Sequence, residues 1–122
     1  MFNDAMEEYR KALGLNPGIP ESHTNLGNLY FKMEKFDEAI KEYEMAIKLK
    51  PDFAEAYNNL GYVYFKQGKY SFAINEFKKA VEQNPGYISA HNNLGQAYIN
   101  AGLRDKAKEQ YDIVSNLTGK TR

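Results

Sequence analysis

The sequence predicts an all-α solenoid of seven helices stacked as antiparallel pairs, and three observations predict it. Asn25-Leu26-Gly27, Asn59-Leu60-Gly61 and Asn93-Leu94-Gly95 recur at a step of 34 residues, as do Tyr30, Tyr64 and Tyr98. Within each unit the apolar residues fall three and four apart, the spacing of one face of a helix. Pro17, Pro51 and Pro85 keep the same step, so each unit ends at a helix breaker. A chain built this way buries one continuous core and presents a shared surface, which makes it a builder of faces and not of catalytic pockets.

The first element, 2–15, carries Phe2, Ala5, Met6, Tyr9, Ala12 and Leu13 and stops before Pro17. It matches the second helix of a unit whose first helix is absent, so residues 1–19 form an incomplete leading repeat. The unit 20–53 follows, with a helix at 20–33 through Leu26, Leu29, Tyr30 and Met33. Its second helix, 36–49, runs through Phe36, Ala39, Ile40, Tyr43, Ala46 and Ile47. The units 54–87 and 88–122 repeat the design with helices at 54–67, 70–83, 88–101 and 104–117. Between the helices of a unit the chain must reverse. Gly68 and Gly102 accept a left-handed helix ending, and Glu34 takes the same place at a modest strain cost. Gly27, Gly61 and Gly95 sit inside helices, where glycine is roughly 1 kcal/mol worse than alanine. Close helix approach against Ala39, Ala73 and Ala107 is the expected compensation, with Tyr43, Phe77 and Tyr111 filling the space one turn later.

These positions together resemble the tetratricopeptide repeat family over almost the whole chain. The matching residues are His23, Tyr57 and His91 at an aromatic-type position, the three Leu-Gly pairs, Tyr30, Tyr64 and Tyr98, then Ala39, Ala73 and Ala107. Tyr43, Phe77 and Tyr111, Ala46 and Ala80, and Pro51 and Pro85 complete the pattern. The chain departs from it with histidine for the family's frequent tryptophan at 23 and 91, Val114 for a small residue and Gly119 for the closing proline. The resemblance implies a right-handed superhelix whose first helices line an inner wall. It also implies that this wall holds an extended peptide or a helix of a protein partner.

The two ends differ. In the last helix Arg104, Lys108 and Ser115 replace the equivalents of Phe36, Ile40 and Ile47, so this end reads as a wettable edge. The face formed by Ala5, Tyr9 and Ala12 has no such device and is expected to dock on another helix. A homo-oligomer through this N-terminal end, acting as a self-assembly or scaffold element, is the alternative function.

Sixteen basic and sixteen acidic residues cancel, which removes the long-range attraction that nucleic acid or an anionic membrane exerts on a basic protein. Neither is expected as a partner. The sequence has no run of about 18 apolar residues for a membrane span, and its acidic amphipathic start is unlike a secretory signal. With no cysteine there is no disulfide framework, and a cytoplasmic location is expected.

Candidate chemistry is sparse. His23 and His91 are the only histidines and hold one repeat position, filled by Tyr57 in the middle unit, which points to packing and not to catalysis or metal binding. Carboxylates such as Glu7, Glu8, Asp37, Glu38, Glu42 and Glu44 fall on helix starts or solvent faces, interleaved with lysines. Gly119-Lys120-Thr121 resembles the end of a phosphate loop, but Val114 stands where that motif needs its first glycine. Asn116-Leu117-Thr118 is a formal glycosylation acceptor without a secretory context. No enzyme, cofactor or metal is expected.

The expected binding surface is the inner wall: Thr24, Asn25, Asn28 and Phe31, then Asn58, Asn59, Tyr62 and Phe65, then Asn92, Asn93, Gln96 and Ile99. It is amide-rich, aromatic and nearly neutral. Asn25, Asn59 and Asn93 form a ladder, one per repeat; each amide either hydrogen-bonds a peptide backbone without reading side chains or bonds the end of a neighbouring helix. The ladder resembles that of O-GlcNAc transferases. Asn28 and Asn59 also match the carboxylate clamp of chaperone-binding members, but Thr24, Ser89 and Asn93 stand in place of that clamp's cations. The expected function is a protein–protein interaction module that binds an extended or helical peptide segment in this groove.

Overall fold

A computed structural model describes residues 2–119 as seven helices: α1 (Phe2–Leu15), α2 (Pro20–Lys32), α3 (Phe36–Leu49), α4 (Ala54–Lys66), α5 (Tyr70–Gln83), α6 (Ile88–Asn100) and α7 (Arg104–Thr118). Lys120 and Thr121 of the Gly-Lys-Thr tail lie outside the described residues.

The first helix of each pair stops one residue earlier than its periodicity suggests, and the hydrogen bonds give the reason. Glu34, Gly68 and Gly102 adopt positive φ of 59°, 77° and 82°. This lets Glu34 N–H reach Phe31 O at 2.9 Å and Lys35 N–H reach Tyr30 O at 2.9 Å. The same two bonds recur at Gly68 and Lys69, and at Gly102 and Leu103. Each pair is thus closed by a Schellman turn that satisfies the last carbonyls of its first helix.

Helices α2 and α3, α4 and α5, and α6 and α7 form the pairs, and each second helix also packs on the first helix of the next pair. Ala39, Tyr43, Leu60 and Val63 bury together between repeats, as do Ala73, Phe77, Leu94, Ala97, Tyr98 and Ala107. The first helices touch one another, α2 to α4 and α4 to α6, whereas α3 and α5 meet only through them. That places α2, α4 and α6 on the inside of the curve.

The helix glycines are explained by a different neighbour from the one expected. A Cβ on Gly27 would lie 2.7 Å from the Tyr43 ring, on Gly61 2.7 Å from the Phe77 ring and on Gly95 2.8 Å from the Tyr111 ring. The aromatic ring of the second helix therefore rests on the bare glycine backbone, and the alanines pack beside it.

At the N-terminal end, Met6 is 5% exposed and packs with Leu26 and Leu29, so α2 already covers this side of α1. The cover is partial: Ala5 and Tyr9 pack against the same cluster yet stay half-buried and Ala12 is exposed, while their equivalents Ala39, Tyr43 and Ala46 are sealed. At the opposite end Arg104 and Lys108 are exposed. Among the described residues no helix is long and apolar enough to cross a membrane.

Candidate functional site

The inner wall carries a continuous row of rings. Phe36 and Phe31 have centroids 5.6 Å apart, Phe31 and Tyr62 5.5 Å, Tyr62 and Phe65 6.2 Å and Phe65 and Tyr70 5.4 Å. Helical spacing builds it: Tyr62 and Phe65 are one turn apart on α4 and lie nearly parallel, at 9°. Phe31 holds on α2 the repeat position of Phe65, and Tyr62 leans back across the helix boundary to meet it.

Two recesses flank Tyr62. One, about 280 Å³, is lined by Asn28, Phe31, Lys32, Tyr43, Asn59 and Tyr62. The other, about 440 Å³, is lined by Tyr62, Phe65, Phe77, Asn92, Asn93, Gln96 and Tyr111. Tyr62 belongs to both and is 38% exposed, so an aromatic surface stands open in the middle of the concave face.

The amides are partly committed to one another. Asn59 Nδ2 donates to Asn28 Oδ1 at 3.1 Å, and the Tyr43 hydroxyl donates to the same oxygen. Burial, and secondarily the Glu55 carboxylate, hold the Tyr43 phenol well above its ordinary range, which keeps it a donor. One repeat on, Asn93 Nδ2 donates to Asn58 Oδ1 at 3.0 Å, and Asn58 Nδ2 lies 3.5 Å from the Tyr87 hydroxyl. The three ladder positions are therefore not equivalent. Asn59 takes Asn28 and Asn93 takes Asn58, which occupy different repeat positions: the equivalent of Asn28 is Tyr62, and that of Asn58 is Thr24. Asn25, on the helix that follows α1, is exposed.

Burial corrects two of the expected wall residues. Thr24 is 2% exposed, its hydroxyl donating to Glu21 O at 2.8 Å, and Asn58 is 5% exposed. Both stand behind the wall. Asn25, Asn92 and Gln96 are exposed, Ile99 is 37% exposed, and Asn28, Phe31, Asn59, Phe65 and Asn93 are half-buried. Gln96 Nε2 donates to Asn100 Oδ1 at 3.0 Å. Tyr43 and Phe77 are buried core residues, as their apolar period indicates, and with the half-buried Tyr111 they underlie the two recesses from beneath the wall. The signal that reveals them is the glycine opposite each, over which the ring passes to reach the groove floor.

The histidines are held inside the fold. His23 Nε2 lies 2.8 Å from Pro17 O and Nδ1 2.9 Å from Glu42 Oε1; His91 Nε2 lies 2.7 Å from Pro85 O and Nδ1 2.7 Å from Gln110 Oε1.

Comparison with known proteins agrees with this geometry. The sequence profile described as TPR repeat matches residues 2–34, 27–68 and 61–102. Two crystal structures of MamA superimpose with TM-scores of 0.90 and 0.88, at 33% and 32% identity. Each covers 98% of this chain, which spans 70% and 66% of theirs. No curated protein matches the chain. The right-handed superhelix of helix pairs, the Schellman-closed turns and the matched repeats place this chain in the tetratricopeptide repeat family, a family of protein-interaction scaffolds.

Proposed function

We propose that the concave face binds an extended or helical segment of another protein. One observation carries the reading: Phe31, Tyr62 and Phe65 form an aromatic row between two recesses whose linings include the amides Asn28, Asn59, Asn92, Asn93 and Gln96. Burying aromatic surface supplies affinity, and amides that can both donate and accept hold a peptide backbone in register. Peptide selection from a random display library on the folded chain tests this. Selected binders are expected to lose affinity for the variant Tyr62→Ala with Gln96→Ala, whose side chains lie on the surface. No enrichment, or binders indifferent to both changes, overturns the groove.

A second reading rests on the partly covered face of α1. Ala5, Tyr9 and Ala12 present there the face that Ala39, Tyr43 and Ala46 bury in a complete pair. This face docks on a helix of another solenoid or a second copy of the chain. Mass measured by light scattering should rise with concentration and stop rising in Tyr9→Glu; a constant mass overturns it.

A further inference from the structure

Two cations border the aromatic row without an ion-pair partner among the described residues. Lys32 and Lys66 are the last residues of α2 and α4 and are exposed. Lys32 lines the smaller recess, and Lys66 Nζ lies 5.8 Å from the centroid of the Tyr62 ring. Among the described residues no carboxylate forms an ion pair with either. They hold the same position one repeat apart, with the rings of Phe31, Tyr62 and Phe65 beside them.

The smaller recess keeps an amide donor free beside the acceptors Asn59 Oδ1 and the Tyr43 hydroxyl oxygen. Asn28 Oδ1 already accepts from the Tyr43 hydroxyl and from Asn59 Nδ2, which fills its two lone pairs and leaves the Asn28 amino group to donate. Aromatic faces, N–H donors and unpaired ammonium groups complement a ligand with apolar rings, free carbonyls and carboxylates. A proline-bearing segment in the polyproline II conformation has these features, since proline offers no N–H and the helix leaves its carbonyls unbonded. Polyproline II repeats every three residues, about 9 Å, so residues i and i+3 of such a ligand share one face. The 3.1 Å bond from Asn59 to Asn28 makes α2 and α4 neighbours across the groove.

We propose that the groove across α2 and α4 binds an acidic, proline-bearing segment in polyproline II conformation, with carboxylates three residues apart on Lys32 and Lys66 and proline rings on Phe31, Tyr62 and Phe65. This rests on the reading of the concave face as a groove and names its ligand class.

Isothermal titration calorimetry with the synthetic peptide acetyl-(Glu-Pro-Pro)4-amide tests it, beside the peptide with glutamine for every glutamate and an acidic amphipathic helical peptide of equal charge. The glutamate peptide is expected to bind. Replacing its carboxylates, or making Lys32→Gln with Lys66→Gln, should weaken it about tenfold, and Tyr62→Ala should weaken it at least as much. Absence of binding by the glutamate peptide, equal binding of the glutamine peptide, or indifference to the double lysine change overturns the inference. Should the helical peptide bind in a Tyr62-dependent way while the glutamate peptide does not, the ligand class falls and the groove stands. If display selection also yields nothing that depends on Tyr62, both fall.

Discussion

His91 Nε2 lies 2.7 Å from the carbonyl oxygen of Pro85, and this contact ties the start of a first helix to the turn that precedes it. The same tie recurs between His23 Nε2 and Pro17 O at 2.8 Å and between the Tyr57 hydroxyl and Pro51 O at 2.9 Å. What the position requires is an aromatic-sized side chain with a donor at its far end. His91→Phe keeps the size and removes the donor, and should cost about 1 kcal/mol in urea unfolding. His91→Tyr should lose less, because Tyr57 already makes this bond in the middle repeat. Equal losses in the two variants would show that the carbonyl bond contributes nothing.

Glu34 takes the left-handed conformation that Gly68 and Gly102 take in the other turns, with φ of 59°. A residue with a Cβ is strained there by about 1–2 kcal/mol, while glycine adds freedom to the unfolded chain. Glu34→Gly should therefore stabilise the protein by about 0.5–1 kcal/mol, read as a higher urea midpoint. Gly68→Ala should do the reverse.

Gly61→Ala separates helix propensity from packing. In an exposed helix the change gains about 1 kcal/mol. Here the new methyl would sit 2.7 Å from the Phe77 ring and 3.2 Å from Ala73 O, and overpacking of this kind costs about 1–3 kcal/mol. A net loss is expected, and Phe77→Leu should shrink it by making room. Additive losses in the double variant would place the clash elsewhere.

The periodicity of Leu26, Leu29 and Tyr30 and the 34-residue step made the seven helices legible to within a residue, because local apolar spacing and turn chemistry act on the same short stretch of chain. The groove was legible in outline only. Phe31, Tyr62 and Phe65 could be placed on the inner wall from register, but Thr24 and Asn58 sit behind it. The reason is that each ladder asparagine bonds a residue of the preceding repeat, and that partner's position differs, Asn28 for Asn59 and Asn58 for Asn93, because Tyr62 and Thr24 fill the equivalent places. A repeat sequence states which helix face points inward. It does not state which of two neighbouring amides closes on the other.

Glu76 carries a pH dependence. Burial holds its carboxyl above the usual glutamate range; Lys79, 3.6 Å away, and Asn75 act in the opposite direction, and the Glu44 carboxylate adds to the rise. A carboxyl raised on folding binds its proton more tightly in the native state. Its contribution is therefore fully present below the unfolded value and is lost as pH rises through the folded one. Glu76→Gln should be more stable than the parent at neutral pH, and the difference should vanish by about pH 4, the ordinary glutamate value. Urea midpoints at the two pH values check this, and an unchanged difference would rule out the carboxyl as its source.

The two inter-repeat amide bonds should differ in weight although their lengths are close. Removing Asn59 leaves Asn28 Oδ1 with the Tyr43 hydroxyl as its remaining donor, so Asn59→Ala should cost about 0.5–1 kcal/mol, the net value of one ordinary hydrogen bond. Removing Asn93 strips the donor from the oxygen of Asn58, which is 5% exposed and whose neighbouring Tyr87 hydroxyl meets its amino group instead. Leaving such a buried acceptor unpaired costs about 1–3 kcal/mol. Asn93→Ala should therefore be the more damaging change in urea unfolding, and Asn58→Leu should reduce its cost by removing the orphaned oxygen. The opposite order of the two single variants would mean that water replaces the lost donor at Asn58 and that the ladder does not tie the repeats together there.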